Sequence, residues 1–318
     1  MTFLYVVVFI ASCALLFWAG KLLISALVRI ARYLEWREFV VAFIIVAIAT
    51  SIPNLFVGIT AALHKIPQLS FGDIVGGNLF DLTIAVALAT LFAKGIPAES
   101  KMVQTSALFT MVVAILPLIL LLDGVLGRGD GMILLLVFFF YIFWLFSKKE
   151  RFSKIYDGQK VSIFKEFRVF IKNLAKVFAG LLLLLGAAQG IVVSASYFSQ
   201  AFNLPLGLVG ILIVGVGSAL PETYFAVIAA RKFQTWMILG NLMGSVIIIS
   251  TLVLGIVALI CPIRIPDFSP FAIARLFLVI ASLLFFFCVK TDQKVTRKEA
   301  TVLLLIYFIF FAVEILTH

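Results

Sequence analysis

Apolar residues run through this 318-residue chain in long blocks, and charged residues interrupt them mainly at their ends. A helix that crosses the hydrocarbon core of a bilayer needs about 20 largely apolar residues. The blocks predict ten such helices, at roughly 3–26, 39–63, 69–93, 102–123, 131–147, 174–197, 205–230, 235–261, 268–289 and 300–316. Little chain remains for a soluble domain, so we expect an all-α membrane protein.

The sizeable polar interruption between these blocks is rich in lysine and arginine and divides the spans into two sets of five. We therefore expect a first five-helix repeat over 1–147, a basic loop over 148–172 and a second five-helix repeat over 173–318. A cleavable signal peptide is not expected, because no basic residue precedes the first apolar run.

Composition agrees with this pattern, since 64% of the residues are hydrophobic. The formal net charge of +10 indicates topology and not a nucleic-acid partner, because the basic residues are concentrated after odd-numbered spans. The other loops hold only Lys65, Arg128 and Arg264, with Arg275 at a span end. The positive-inside rule then predicts a plasma (inner) membrane protein with both termini outside and the central loop in the cytoplasm. Five spans per half make the second repeat inverted relative to the first.

Two stretches of polar and small residues in the first half recur in the second. Residues 49–54 (ATSIPN) match 217–222 (GSALPE), and residues 72–77 (GDIVGG) match 240–245 (GNLMGS). Matched residues are always 168 positions apart. Two interrupted helices, one from each inverted repeat, are typical of ion sites at the bilayer midplane of transporters.

Three acidic residues, Asp73, Asp81 and Glu222, are predicted at membrane depth. An aspartate there costs about 2.5–3.5 kcal/mol on insertion scales, so such residues are functional candidates. Asp73 either lines a site or is a solvated entrance residue. Glu314 is expected to reach the outer surface from the end of the last span.

Each proline frees a carbonyl of the preceding turn, that of Ala49 before Pro53 and that of Gly217 before Pro221. With the hydroxyls of Thr50, Ser51 and Ser218 and the Glu222 carboxylate, these oxygens predict a site for a hard cation. Proline kinks and serine back-bonding are common in membrane helices and offer a purely structural explanation for either copy alone. The occurrence of both copies at a constant offset favours a cation site over this structural explanation.

The glycines of the second motif are spaced by four residues, which predicts close packing of span three on span two and of span eight on span seven. Asp81 lies one turn beyond Gly77 on the same helix face. Cysteine and histidine add no further chemistry. We expect no disulfide, no resident metal and no cofactor from Cys13, Cys261, Cys288, His64 and His318.

The two motifs resemble the paired GTSLPE and GNxxGS patterns of the cation/calcium antiporter superfamily, the sodium/calcium exchangers. The resemblance covers nearly the whole chain and implies ten helices in two inverted five-helix repeats. It also implies cation ligands, which on this chain are Thr50, Ser51, Asn54, Asp81, Ser218, Glu222 and Ser245, with Glu222 and Asp81 as the charged pair. Further candidates are Ala47, Gly77, Gly215, Asp73 and Asn241.

This chain departs from the family pattern at several positions. Asn54 stands where the family has a second glutamate, and Ala219, Gly77 and Ile249 replace polar ligands. Charge counting then predicts weak Ca²⁺ binding that Asn54→Glu and Ile249→Asp would strengthen.

The leading hypothesis is a secondary cation antiporter, expected as a monomer, that moves a cation against Na⁺ or H⁺ by alternating access. A monovalent cation/proton antiporter and a degenerate, non-transporting paralogue are alternatives, ahead of a channel. An intramembrane enzyme is least favoured, because the chain has no HExxH motif and no Ser/His pairing.

The basic-residue asymmetry generates a topology prediction. In a variant whose three native cysteines are replaced by alanine, a cysteine at Lys154 is expected to react only with a membrane-permeant thiol reagent. A cysteine at Lys65 is expected to react with an impermeant reagent applied outside. The reverse labelling pattern would contradict both the orientation and the inverted-repeat hypothesis.

Overall fold

The computed structural model describes residues 2–33, 46–147, 163–232, 235–265 and 271–317. Within them the chain forms ten helices, one for each predicted span, but the sixth begins at Ile163 and so includes 163–172, which the sequence assigns to the basic loop. These are α1 (Thr2–Tyr33), α2 (Ala47–Leu63), α3 (Pro67–Ala93), α4 (Lys101–Asp123), α5 (Arg128–Ser147), α6 (Ile163–Ala201), α7 (Leu206–Arg231), α8 (235–260), α9 (Ala272–Lys290) and α10 (Arg297–Thr317).

Nine helices in this described part are long and apolar enough to cross a membrane. The tenth, α2, has 17 residues, and the predicted beginning of its span at residue 39 lies outside the described residues. Most of the central loop, 148–162, and His318 also lie outside them.

Helices α3 and α8 lie at the centre of the molecule. In each, 78% of an 18-residue apolar stretch is buried, against 28% in α1, α5 and α10. The outer helices present apolar side chains such as Phe3, Trp18 and Phe143 to the surroundings, as expected for a surface that faces lipid. The second motif, at 72–77 and 240–245, therefore lies in the two helices that are best shielded from the bilayer, whereas the proline motif lies in α2 and α7.

Two short antiparallel ladders show how the repeats are related. Strand β1 (Ile96–Pro97), after α3, pairs with β4 (Lys294–Val295), after α9. Strand β2 (Val125–Leu126), after α4, pairs with β3 (Ile263–Arg264), after α8. The loop after α3 is the repeat counterpart of the loop after α8, yet the two belong to different ladders. Equivalent loops therefore lie at different ends of the molecule, as inverted repeats require.

The predicted interruption of both motif helices is observed only in the second repeat. Helix α7 breaks at Ala219, between the segments Gly215–Ser218 and Leu220–Arg231. Helix α2 remains helical across Pro53, so the expectation of a broken helix there was wrong. Pro221 lies in the first turn of the Leu220–Arg231 segment, where a missing N–H is tolerated, whereas Pro53 lies inside α2.

Wide helical turns are a further repeated feature. A π-helical turn covers Asp81–Ala85 in α3 and another covers Ile249–Val253 in α8, which are equivalent positions of the two repeats. A third, Gly210–Val214, lies in α7 before the break. Such turns are frequent at functional sites, and here each begins beside a motif.

The glycines of α3 bring α3 close to α7, the motif helix of the other repeat. A Cβ at Gly72 would lie 2.1 Å from the Gly207 carbonyl oxygen, and one at Gly76 would lie 2.2 Å from that of Ile211. The sequence predicts that these glycines allow α3 to pack closely against α2. The closest backbone approach is instead across the repeats, which ties the two halves together at their centre.

This approach makes Gly76→Ala destabilising, because the new methyl group must displace backbone. We expect a loss of about 1–3 kcal/mol, measured as a lower melting temperature in detergent. Gly77→Ala is the matched control, since its Cβ would meet its nearest neighbour at 3.7 Å and needs no movement. Equal melting temperatures for the two variants would contradict the packing.

Candidate cation-binding site

Nine polar side chains, eight from the two repeated motifs and Asp81 one turn beyond, are buried between α2, α3, α7 and α8. None is more than 1% exposed. They are Thr50, Ser51, Asn54, Asp73, Asp81, Ser218, Glu222, Asn241 and Ser245. The helices position them because each motif residue lies on a face that packs against a neighbouring motif helix, and not against lipid.

One group of contacts centres on Ser218, directly before the break in α7. Its hydroxyl donates to Asp73 Oδ1 at 2.5 Å, with the Gly215 carbonyl oxygen at 3.2 Å. The hydroxyl also accepts a hydrogen bond from Asn54 Nδ2 at 3.3 Å. Ser218 thus joins residues of α2 and α3 from the first repeat to α7 of the second. We call Asp73, Asn54 and Ser218 the Ser218 group.

A second group centres on Ser245 in α8. Ser245 donates to Glu222 Oε1 at 3.2 Å and accepts from Ser51 Oγ at 3.2 Å. Its side chain also interacts with the Asp81 carboxylate, and the charges of Asp81 and Glu222 interact with each other. These four residues, Ser51, Asp81, Glu222 and Ser245, form the Ser245 group.

Thr50 and Asn241 form a third link between the repeats. Thr50 Oγ1 donates to Asn241 Oδ1 at 3.3 Å and lies 3.1 Å from the carbonyl oxygen of Ala47. Each of the three groups contains a side-chain hydrogen bond that crosses from one repeat to the other. The site therefore exists only when both repeats are assembled.

Several buried oxygens of the cluster have no hydrogen-bond partner. They are Asn54 Oδ1, Asp73 Oδ2, Asp81 Oδ1 and Glu222 Oε2. Leaving a buried polar group unpaired costs about 1–3 kcal/mol, and more for a charged group. All four atoms are acceptors, and a cation satisfies acceptors. Carboxylate, amide, hydroxyl and carbonyl oxygens are the ligands that hard cations such as Ca²⁺ prefer.

In the described ranges, no group of three or more His, Cys, Asp and Glu side chains is arranged to hold a metal ion. The carboxylates are instead separated among hydroxyls and amides, in the Ser218 and Ser245 groups. His64 pairs with Gln189 at 3.1 Å, away from the cluster. The cluster thus combines three carboxylates with neutral hydroxyl and amide groups.

The structure brings together most of the candidates from the sequence. Asp73 could either line a site or lie solvated at its entrance. In the structure it lines the cluster and is fully buried. Gly77 also faces it, since its Cβ would lie 3.9 Å from Asn54 Nδ2 and 4.0 Å from Ile249 Cδ1. Ile249 therefore covers the polar cluster with an apolar side chain.

The expectation for Glu314 was wrong, because its side chain is fully buried. Helix α10 packs against α3 and α9, and Glu314 lies on the buried face of α10, in line with Ala300, Leu303, Tyr307 and Phe310. Sequence reasoning also missed a contact between Asn78 Nδ2 and Ser250 Oγ at 2.7 Å. Both residues adjoin the motifs, but they are not equivalent positions of the repeats, so the 168-residue offset could not reveal them.

Comparison with known proteins decides the family. The model of the sodium/calcium exchanger protein family matches residues 4–147 and 172–316, which is nearly the whole chain. The chain belongs to the sodium/calcium exchanger family. It is therefore a multi-pass membrane transporter, a cation antiporter of the sodium/calcium exchanger type.

Individual relatives are distant but nearly full-length. The sodium/calcium exchanger MaX1 of Methanosarcina acetivorans is 24% identical over 89% of this chain and 91% of its own. The inner membrane protein YrbG of Escherichia coli is 24% identical over 84% and 82%. A solved structure of the sodium-calcium exchanger NCX_Mj, soaked with Na⁺ and Sr²⁺, has 25% identity and a TM-score of 0.69, and covers 98% of this chain and 99% of that one. The all-α membrane fold of exchangers, with its inverted repeats, is confirmed.

The position of Ser245 generates a prediction about affinity. Its hydroxyl donates to Glu222 Oε1, so Ser245→Ala removes both a proposed oxygen ligand and the group that orients Glu222. We expect the apparent cation affinity to fall about tenfold, the effect of about 1.4 kcal/mol, in a binding titration of the purified protein. Ser196→Ala is the control, because that hydroxyl bonds only within α6, to the Val192 carbonyl. Unchanged affinity in Ser245→Ala would remove Ser245 from the ligand set.

Proposed function

We propose that this exchanger carries Ca²⁺ in exchange for Na⁺ across the plasma (inner) membrane by alternating access. Glu222 and Asp81 act as ionised ligands, and Thr50, Ser51, Asn54, Ser218 and Ser245 supply neutral oxygens. Carbonyl oxygens of Ala47 and Gly215, together with Asn241, complete the set. The observation that carries the proposal is the buried cluster of unpartnered acceptor oxygens between the two inverted repeats.

The proposed arrangement in the membrane follows from charge. Basic residues accumulate at the end of the molecule that holds the ladder of β1 and β4, with Lys94, Lys101, Lys290, Lys294 and Arg297. The other ladder is flanked by Arg128 and Arg264. This asymmetry supports a cytoplasmic position for the first ladder and for the loop at 148–172, with both termini outside. The two five-helix regions, 1–147 and 173–318, act together as a monomer.

Exchange of a monovalent cation against protons is the second candidate. The observation that favours it is Ile249, which places an aliphatic side chain beside Gly77 where a further oxygen ligand would strengthen divalent binding. A smaller ligand set suits Na⁺ or a proton better than Ca²⁺. A non-transporting paralogue would keep the fold and lose flux altogether.

Flux into proteoliposomes distinguishes these functions. Vesicles loaded with Na⁺ and diluted into Na⁺-free buffer are expected to accumulate radioactive Ca²⁺, whereas vesicles with equal Na⁺ on both sides are not. Uptake driven by a proton gradient alone would support the second candidate. Rapid uptake that follows the Ca²⁺ gradient without a counter-ion would indicate a channel.

Glu222→Gln tests the site within the same experiment. The substitution keeps the shape of the side chain and removes its charge, so uptake is expected to fall to the level of empty vesicles. The matched control is Asp292→Asn, which neutralises an exposed carboxylate in the loop before α10 and is expected to transport like the wild type. Wild-type uptake by Glu222→Gln would show that transport uses another site.

A further inference from the structure

The two repeats place an amide and a carboxylate in opposite order. In the second repeat the residue after the proline is Glu222 and the residue after the first glycine of the second motif is Asn241. In the first repeat the equivalent positions hold Asn54 and Asp73. Each repeat therefore contributes one carboxylate and one amide at these two positions, but the groups are exchanged.

The contacts of Asp73 follow the symmetry of the repeats. Asp73 Oδ1 accepts from Ser218 at 2.5 Å, and its counterpart Asn241 Oδ1 accepts from Thr50 at 3.3 Å. Thr50 and Ser218 are themselves equivalent positions. The aspartate thus occupies the place of an amide, and its hydrogen bond to the serine needs only an acceptor oxygen.

The contacts of Asn54 depart from the symmetry for a clear reason. Glu222 accepts from Ser245, but the counterpart of Ser245 is Gly77, which has no hydroxyl. Asn54 instead donates from Nδ2 to Ser218 at 3.3 Å. The same hydroxyl that contacts Asp73 therefore contacts Asn54. The two residues form one local unit, with Asp73 Oδ2 and Asn54 Oδ1 both buried and without a hydrogen-bond partner.

We propose that Asp73 is a cation ligand and supplies to the Ser218 group the negative charge that Asn54 lacks. The inference rests on the proposed exchange function and deepens it. The binding region then holds three carboxylates, Asp73, Asp81 and Glu222, and not two. Three negative charges can balance a divalent cation together with a monovalent one. Asp73 thereby preserves divalent binding in a site that has Asn54 in place of a central glutamate.

A double-substitution experiment separates charge from hydrogen bonding. Asp73→Asn keeps an acceptor oxygen for Ser218 and removes only the charge. Asp73→Asn combined with Asn54→Glu gives the first repeat the order found in the second. The probe is Ca²⁺, titrated into the purified full-length protein, with Asp292→Asn as the control.

The proposal predicts a defined pattern of affinities. Asp73→Asn is expected to weaken Ca²⁺ binding at least about tenfold, and the double variant is expected to return within about threefold of the wild type. Asn54→Glu alone is expected to give no gain, because the new carboxylate would stand beside Asp73 and like charges oppose ionisation. This differs from simple charge counting at position 54, which predicts a gain.

Each contrary outcome overturns the inference. Wild-type affinity in Asp73→Asn would show that Asp73 only accepts a hydrogen bond from Ser218. A double variant that folds without recovering affinity would show that Asp73 does not supply the charge that Asn54 lacks. If the double variant does not fold, Asp73→Asn alone decides, because it keeps the acceptor oxygen for Ser218 and removes only the charge. Glu222→Gln tests the proposed exchange site independently of Asp73. If Glu222→Gln also binds Ca²⁺ like the wild type, the proposed site itself is wrong, and not only the role of Asp73.

Discussion

The rest of this structure depends on the cost of burying oxygen atoms that carry negative charge. Asp73, Asp81 and Glu222 lie at the centre of an apolar molecule, each with one carboxylate oxygen that no hydrogen bond satisfies. Desolvating a charge is expensive unless an opposite charge is paired with it. In the proposed site, a transported cation meets that need only while it is bound. The same unfavourable energy that would destabilise an ordinary protein would then be the driving force for binding.

The inverted repeats assemble this local feature into the proposed transport site. Hydroxyls of one repeat contact acceptors of the other, as between Ser218 and Asp73 and between Thr50 and Asn241. Close backbone approach of α3 and α7 at Gly72 and Gly76 leaves no room for side chains there. Because the proposed ligands belong to both halves, a small movement of one half relative to the other would change the ligand set. Alternating access in such folds is largely a movement of one bundle against the other around a fixed site.

Much of this could be predicted from the sequence, because membrane spans and repeated motifs leave strong local patterns. The ten helices, the 168-residue offset and the candidacy of Glu222 follow from apolar blocks, prolines and isolated acids. Contacts across the repeats do not follow from such patterns. The sequence could not show that Asp73 bonds Ser218, that Gly72 faces α7, or that α10 packing covers Glu314. Nor could it show that α7 breaks at Ala219 while α2 continues through Pro53, since the same residue is compatible with a kink or a break.

A crystal structure of this protein soaked with Sr²⁺, which stands in for Ca²⁺ and scatters X-rays anomalously, tests the central claim most directly. The account predicts an anomalous peak among the unpartnered oxygens, at ligand distances slightly longer than the approximately 2.3–2.6 Å typical of Ca²⁺. The peak should lie between the Ser218 and Ser245 groups and disappear when Na⁺ replaces Sr²⁺. A peak elsewhere in the membrane region, with those oxygens unoccupied, would contradict it.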